Sequence, residues 1–338
     1  MTDQALKDEM RSGVNVVLRH ALDHPLLQPV PELKVMLEYQ MGMDDAPGSG
    51  SAQGKRLRPL LLLLSNHAVG GDWRKALSAA AAVELMHNFS LIHDDIEDKS
   101  EMRRGRPTVW AKWGTSQAIN VGDAMLGLAQ LTLLQDTELL HEQSAVELFR
   151  LFNQTLVRLT SGQYLDLAFE RAADIGLEDY DRMAAGKTGA LLAACFEMGA
   201  VLGDADPTTR QRMAETGRAA GRAFQIQDDW LGIWGSEKDT GKSIHSDLVE
   251  RKKTFPVILG IQNGGQFASL WNQLEVVNQE DAERLAGVLE KEGVRDATAS
   301  VFNAEYVLAL ELMKGLDLPV KRVQPLLNLF TSILNRIR

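Results

Sequence analysis

One cysteine, ten prolines and 6% aromatics in 338 residues are unusually few, and each shortage closes off a class of protein. A lone thiol cannot build an intrachain disulfide framework, so a reducing compartment, the cytoplasm, is expected. Cys195 lies in the apolar run Leu191-Leu192-Ala193-Ala194-Cys195-Phe196 and reads as a small buried hydrophobe. No histidine pattern accompanies it, which argues against a catalytic thiol. Positive charge is also short: 36 Lys+Arg against 46 Asp+Glu leave a net charge of -10, which argues against a nucleic-acid surface. No stretch approaches the ~20 uninterrupted apolar residues of a membrane span. The first nine residues are polar and carry no signal-peptide core.

Leucine, alanine and methionine are plentiful, and the pattern they make is helical. Helix-like segments cover residues 5–22, 31–42, 56–69, 74–98, 115–135, 138–170, 177–201, 208–234, 251–263, 280–292, 295–314 and 319–337. Gly, Pro and Asp punctuate the breaks at 43–54, 70–72, 105–107, 203–207 and 235–247. No run of alternating β-branched residues supports a sheet, and there is no short repeat. The expectation is one all-α domain over residues 1–338.

Two acidic clusters end apolar stretches: Asp94-Asp95-Ile96-Glu97-Asp98 and Gln227-Asp228-Asp229. Burying carboxylates is costly unless a cation compensates, and neither cluster has a basic residue within it. Metal ions would serve. On a helix Asp94 and Asp98 lie one turn apart on one face, with Asp95 rotated by roughly 100° to a flank. Such a pair can ligate Mg²⁺, which keeps several waters and completes its shell with phosphate. The second cluster is poorer, because the i+4 partner of Asp228 is Gly232, which has no side chain to ligate. Asp239 and Asp247, in the following break, are candidates for indirect ligation.

The cations suggest what such metals would hold. Lys55 and Arg58 stand at i and i+3, on one side of an expected helix start, with Arg58 able to fork onto phosphate oxygens. Lys187-Thr188, Lys242 and Lys252-Lys253 are weak singly. Together with two carboxylate sites, the set matches the needs of two diphosphates and a few Mg²⁺ ions.

In order, the chain carries Gly54-Lys55-Arg56-Leu57-Arg58-Pro59, Glu84-Leu85-Met86-His87, Ser90 to Asp98, Arg103-Arg104-Gly105, Gly122-Asp123, Gly162-Gln163, Lys187-Thr188, Phe224 to Asp229, and Gly241-Lys242. These motifs resemble those of the trans-isoprenyl diphosphate synthases, the polyprenyl synthetase family, from about residue 50 to 260. The resemblance implies a helical bundle around a deep central cavity, usually a homodimer. It implies a Mg²⁺-dependent, head-to-tail condensation of isopentenyl diphosphate with an allylic diphosphate. It assigns Asp94, Asp95 and Asp98 to the first metal motif and Asp228 and Asp229 to the second. Lys55, Arg58, His87 and Arg104 fall on isopentenyl-binding positions. Arg103, Lys187, Thr188, Gln225, Lys242 and Lys252 fall on allylic ones, and Asp94, Asp95, Asp98, Lys187 and Asp228 carry the chemistry. Two departures stand out: Gln53 in place of a glycine, and Gly232 in place of the third aspartate of the second motif.

In the family the product grows beside the first aspartate helix. Residues eight, five and four before Asp94 are Met86, Phe89 and Ser90. Helix geometry puts Met86 and Ser90 within ~80° of Asp94 and Phe89 about 140° away, so only the resemblance makes Phe89 a chain-length residue. An aromatic there implies a medium-length product, geranylgeranyl (C20) ahead of farnesyl (C15) diphosphate. Two other readings compete. A terpene cyclase would share the first motif but would not need Lys55, Arg58 and His87. A non-catalytic subunit of a heteromeric synthase would account for Gly232, but such subunits tend to lose aspartates of the first motif.

Overall fold

The computed structural model describes residues 2–44, 54–135, 142–172, 174–236 and 243–334. Helices dominate the described residues. Along the chain they are α1 (Asp3–Leu22), α2 (Pro31–Met41), α3 (Leu57–Ala68), α4 (Leu77–Glu97), α5 (Val109–Trp113), α6 (Thr115–Leu134), α7 (Glu142–Arg171) and α8 (Leu177–Ala184). After a π-helical turn at Ala185–Gly189 come α9 (Ala190–Leu202), α10 (Pro207–Trp234), α11 (Ser246–Val249), α12 (Phe255–Gln262), α13 (Gln266–Gln273), α14 (Gln279–Lys291), α15 (Val294–Lys314) and α16 (Val320–Leu334).

The all-α expectation holds, with corrections of detail. A two-residue hairpin, β1 (Met102–Arg103) against β2 (Arg106–Pro107), escaped the search for alternating β-branched residues because its strands are too short to alternate. The helices α5, α11 and α13 fall where no helix was expected. The helix expected from about residue 56 begins at Leu57, capped by Arg56 in left-handed backbone (φ 49°), so Lys55 precedes it rather than sharing its first turn with Arg58.

The chain divides into two compact units, residues 1–156, 194–213 and 317–326 in one and residues 157–193, 214–316 and 327–338 in the other. All the boundaries between them fall inside helices except that at residues 316/317, which lies in the connection between α15 and α16. In the first unit α4 packs chiefly on α6 and also on α1 and α3. Its first half is a run of buried alanines, Ala79 to Ala82, which lets neighbouring helices approach closely. In the second unit a core of Ile233, Leu248, Val257, Phe267, Trp271, Leu285 and Leu289 joins α10 to α11, α12, α13 and α14. By length and composition one helical run, Leu177–Leu202, could cross a membrane, but 67% of its apolar window is buried inside the protein, as in a core helix.

Candidate active site

In the first unit, α4 ends on the first acidic cluster. Asp95 points inward and is buried, whereas Asp94 is partly open. The hairpin then turns the chain back on itself. Arg104 and Gly105 form its two-residue loop, both with positive φ (51° and 75°), as a tight turn of the primed type requires. That return brings Arg103 to the aspartates: its Nε lies 2.8 and 3.0 Å from the two Asp95 oxygens, and Nη2 lies 3.3 Å from Asp94 Oδ2. The expectation of a cluster without a local cation is therefore corrected, since the cation arrives from eight residues on.

The hairpin is clamped from α2. Tyr39 donates its hydroxyl to the Pro107 carbonyl at 2.8 Å, and Arg106 stacks over the Tyr39 ring while holding Asp44 at 2.7 and 3.1 Å. Even with Arg103 in place, burial pushes the Asp95 carboxyl up to about 6; Arg103 pulls it down, and the charges of Asp94 and Asp98 add to the rise. This pocket is short of positive charge.

A second, cationic region lies one turn or more up α4. His87 is half-buried, and desolvation together with the charges of Arg58, Arg104, Arg103 and Arg56 holds its ring neutral. Arg58 Nη1 lies 3.0 Å from His87 Nε2. An arginine can only donate, so the imidazole accepts at Nε2 and carries its proton on Nδ1. Arg104 packs its guanidinium against Gly54, where a Cβ would meet Nη1 at 2.7 Å; glycine there, at φ 66°, keeps the space open.

Arg56, which the sequence did not single out, is buried as an ion pair with Glu84 (2.8 Å) and donates to the Met41 carbonyl (3.1 Å). It is thereby neutralised as scaffold. Arg58 and Arg104 bring two further positive charges to neutral His87, an arrangement suited to an anion. Lys55 is exposed.

Phe89 and His93 form an edge-on pair at 4.7 Å between centroids. The His93 ring presses on Gly122, where a Cβ would lie 2.2 Å from Nε2, and lies 3.9 Å from Asp123. Packing of the His93 ring therefore accounts for Gly122, while Asp123 is exposed. Met86 is fully buried, and Ser90 turns its hydroxyl back to the His87 carbonyl at 2.8 Å.

In the second unit, the π-helical turn Ala185–Gly189 carries Lys187 and Thr188. It crosses α7 backbone to backbone: a Cβ on Gly162 would meet Lys187 N at 2.0 Å. That explains Gly162 and fixes the pair of polar side chains. Lys187 Nζ is 2.5 Å from Asp166, a partner that a single acid within a long helix gave no signal to find. Thr188 donates to Gln225 Oε1 at 2.5 Å, and Gln225 Nε2 donates to Asp229 Oδ1 at 2.9 Å. Asp229 Oδ2 accepts from Tyr180 Oη (2.7 Å) and from the Phe255 N–H (2.9 Å).

Burial pushes Asp229 up to about 6, opposed by those three hydrogen bonds and reinforced by the charge of Asp228. Burial and Asp229 together hold Tyr180 well above the usual phenol range, so it stays a donor. Asp228, its neighbour, is exposed. Lys252 pairs with Glu250 at 3.1 Å. Lys242, Asp239, Gln53 and the terminal arginines lie outside the described residues.

Residues 48–291 match the family model described as polyprenyl synthetase. The chain belongs to the polyprenyl synthetase family. It is 42% identical over 255 residues to a (2E,6E)-farnesyl diphosphate synthase of Mycobacterium tuberculosis, covering 73% of this chain and 70% of that one. A geranylgeranyl diphosphate synthase of the same organism is 36% identical over 296 residues, covering 86% and 83%. The crystal structure of a polyprenyl synthetase from Streptomyces coelicolor A3(2) superposes with a TM-score of 0.88 at 34% identity, covering 98% of this chain and 100% of that one.

The family uses divalent metal. The donors fit one: carboxylate oxygens suit a hard cation, and the buried Asp95 still lacks charge after Arg103 is counted. No three His, Cys, Asp or Glu side chains converge into a ready cage among the described residues. A cation held here would take its remaining ligands from water and phosphate.

Proposed function

We propose that the chain is a trans-prenyltransferase that joins isopentenyl diphosphate to an allylic diphosphate and makes a C20 product, geranylgeranyl diphosphate, with the C15 farnesyl product as the nearest alternative. The observation that carries this reading is the pairing, within one unit, of a carboxylate pocket at Asp94 and Asp95 with a separate anion site at Arg58, His87 and Arg104. Two diphosphates need two such places, whereas a cyclase needs one.

Asp94, Asp95 and Asp98, with Asp228 and Asp229, would hold Mg²⁺, which supplies charge to the departing diphosphate. Arg103 in the first unit and Lys187, Thr188, Gln225, Lys242 and Lys252 in the second are assigned to the allylic diphosphate. Arg58 and Arg104 orient the isopentenyl diphosphate, aided by Lys55. Neutral His87 accepts from Arg58 and so holds the guanidinium in place.

The allylic C1–O bond breaks, and its electrons leave with the diphosphate. The isopentenyl double bond attacks C1, a C–C bond forms, and the adjacent proton passes to the released diphosphate. No protein nucleophile is required. Charge aimed at the leaving group, rather than at the ground state, is what accelerates the step.

Met86, Phe89 and Ser90 are the proposed chain-length residues, and a homodimer is the proposed assembly. Val146, Val157 and Tyr164 support the dimer: they are 65%, 64% and 71% exposed and lie within about 20° of one line along α7. A cytoplasmic location agrees with the single buried thiol.

The test is product mass from purified protein given isopentenyl and geranyl diphosphates. Wild type should yield C20 as the end product, and Phe89→Ala a longer one. An unchanged length would remove Phe89 from the account, and no elongated product at all would sink the enzyme reading.

A further inference from the structure

Left-handed backbone at a residue that carries a Cβ persists only where its surroundings enforce it. Among the described residues of the second unit, it occurs at His245 (φ 64°) and Arg251 (φ 53°), one on each side of the four-residue helix α11. Each is tied down by its own side chain. His245 Nδ1 lies 2.5 Å from the Ile233 carbonyl and donates to it, which fixes the start of α11 to the end of α10. The Arg251 guanidinium stacks over the Trp271 ring at 4.4 Å. It also donates to the Trp271 carbonyl (3.2 and 3.3 Å) and to that of Leu274. Those carbonyls lie at the C-terminal end of α13, where helix carbonyls lack intrahelical partners.

The turn at Arg251 decides where the next two cations go. The Lys252 N–H closes it on the Asp247 carbonyl at 2.9 Å. Lys253 then runs to the end of α7, where its ammonium donates to the carbonyls of Phe169 (2.8 Å) and Ala172. Two residues further on, the Phe255 N–H meets Asp229 Oδ2 at 2.9 Å. Of three consecutive basic residues, Arg251 is thus engaged by α13 and Lys253 by α7. Between them Lys252 holds its side chain beside Glu250 at 3.1 Å, 31% exposed.

We propose that Arg251 is a positioning residue for the allylic diphosphate: its anchored left-handed turn fixes the backbone from which Lys252 reaches that substrate. This rests on the assignment of Lys252 in the functional reading above. What position 251 requires is a conformation, one that glycine adopts freely and a β-branched residue resists. The guanidinium supplies the anchor that a residue with a Cβ needs to stay in it.

The test measures steady-state KM for geranyl and isopentenyl diphosphates on the purified full chain, with circular dichroism to check folding. Lys252→Ala should raise KM for geranyl diphosphate about 10–100-fold. Arg251→Val should raise it at least about fivefold, with KM for isopentenyl diphosphate within about threefold of wild type. Arg251→Ala, which loses the anchor without adding a branch, should fall between wild type and Arg251→Val. Arg251→Gly should stay within about threefold of wild type for both substrates. Because Arg251 acts through Lys252, Arg251→Val/Lys252→Ala should be no worse than Lys252→Ala. Should Arg251→Val not fold, Arg251→Ala carries the same comparison with Arg251→Gly.

Equal KM for geranyl diphosphate in Arg251→Gly, Arg251→Ala and Arg251→Val overturns the inference and leaves the functional reading intact. So does a parallel rise for both substrates, or a further loss on top of Lys252→Ala. Wild-type KM in Lys252→Ala removes Lys252 from the allylic site and overturns the inference with that assignment.

Discussion

The two aspartate pairs solve the same problem in opposite ways. Each places one buried carboxyl beside a more open one, and in each burial drives the buried member up to about 6. At Asp95 the compensation is a full charge, Arg103, delivered by a hairpin. At Asp229 it is three neutral donors, Tyr180, Gln225 and the Phe255 amide, all fixed by helices and core packing. A charge on a hairpin can be exchanged for another charge when a metal and a diphosphate arrive. A carboxylate with three of its four acceptor positions already taken by protein is mainly scaffold. The first pair is therefore expected to do chemistry in both its members, the second chiefly in Asp228.

That contrast can be broken at several points. The largest effect should come from the first pair: Asp94→Asn should lower kcat about 10²–10³-fold, measured as initial rate of isopentenyl incorporation. Arg58→Gln removes a charge-assisted contact worth about 1.5–3 kcal/mol, so KM for isopentenyl diphosphate should rise about 10–100-fold while KM for the allylic substrate stays within about threefold. Equal rises in both would merge the two sites into one.

Tyr180→Phe leaves a buried acceptor short of its donor and should cost about 1–3 kcal/mol in urea unfolding, with kcat changed less than by Asp94→Asn. A larger kcat loss than that would make Asp229 a working member rather than scaffold.

The smallest effect concerns Cys195, whose thiol burial pushes up to about 12 from an ordinary 9.0. At pH 8 it should resist iodoacetamide in the folded protein and react in urea. Between pH 9 and about 12 the unfolded chain loses a proton that the folded chain keeps, so stability should fall as pH rises. Cys195→Ala should flatten that slope.

The helices were readable because leucine and alanine spacing reports a buried face directly, and Asp94 with Asp98 followed from the same period. What stayed hidden depends on contacts between segments distant in sequence. Nothing local marks Arg103 as the partner of Asp95 until the Arg104-Gly105 turn is known to fold back. Arg56 sits in the same basic string as Lys55 and Arg58, yet a left-handed residue and Glu84 turn it inward. Asp166 and Tyr180 are ordinary helix residues until Lys187 and Asp229 meet them. Asp247 was visible as a candidate in the break after α10, but its close approach to Gly232 follows only from the fold.

The most direct test of two separate diphosphate sites is calorimetric titration of isopentenyl diphosphate into protein already saturated with Mg²⁺ and an unreactive allylic thiolodiphosphate. The account predicts one equivalent bound beside the analogue, weakened about 10–100-fold by Arg58→Gln and far less by Asp94→Asn. Competition between the two ligands for a single site would contradict it.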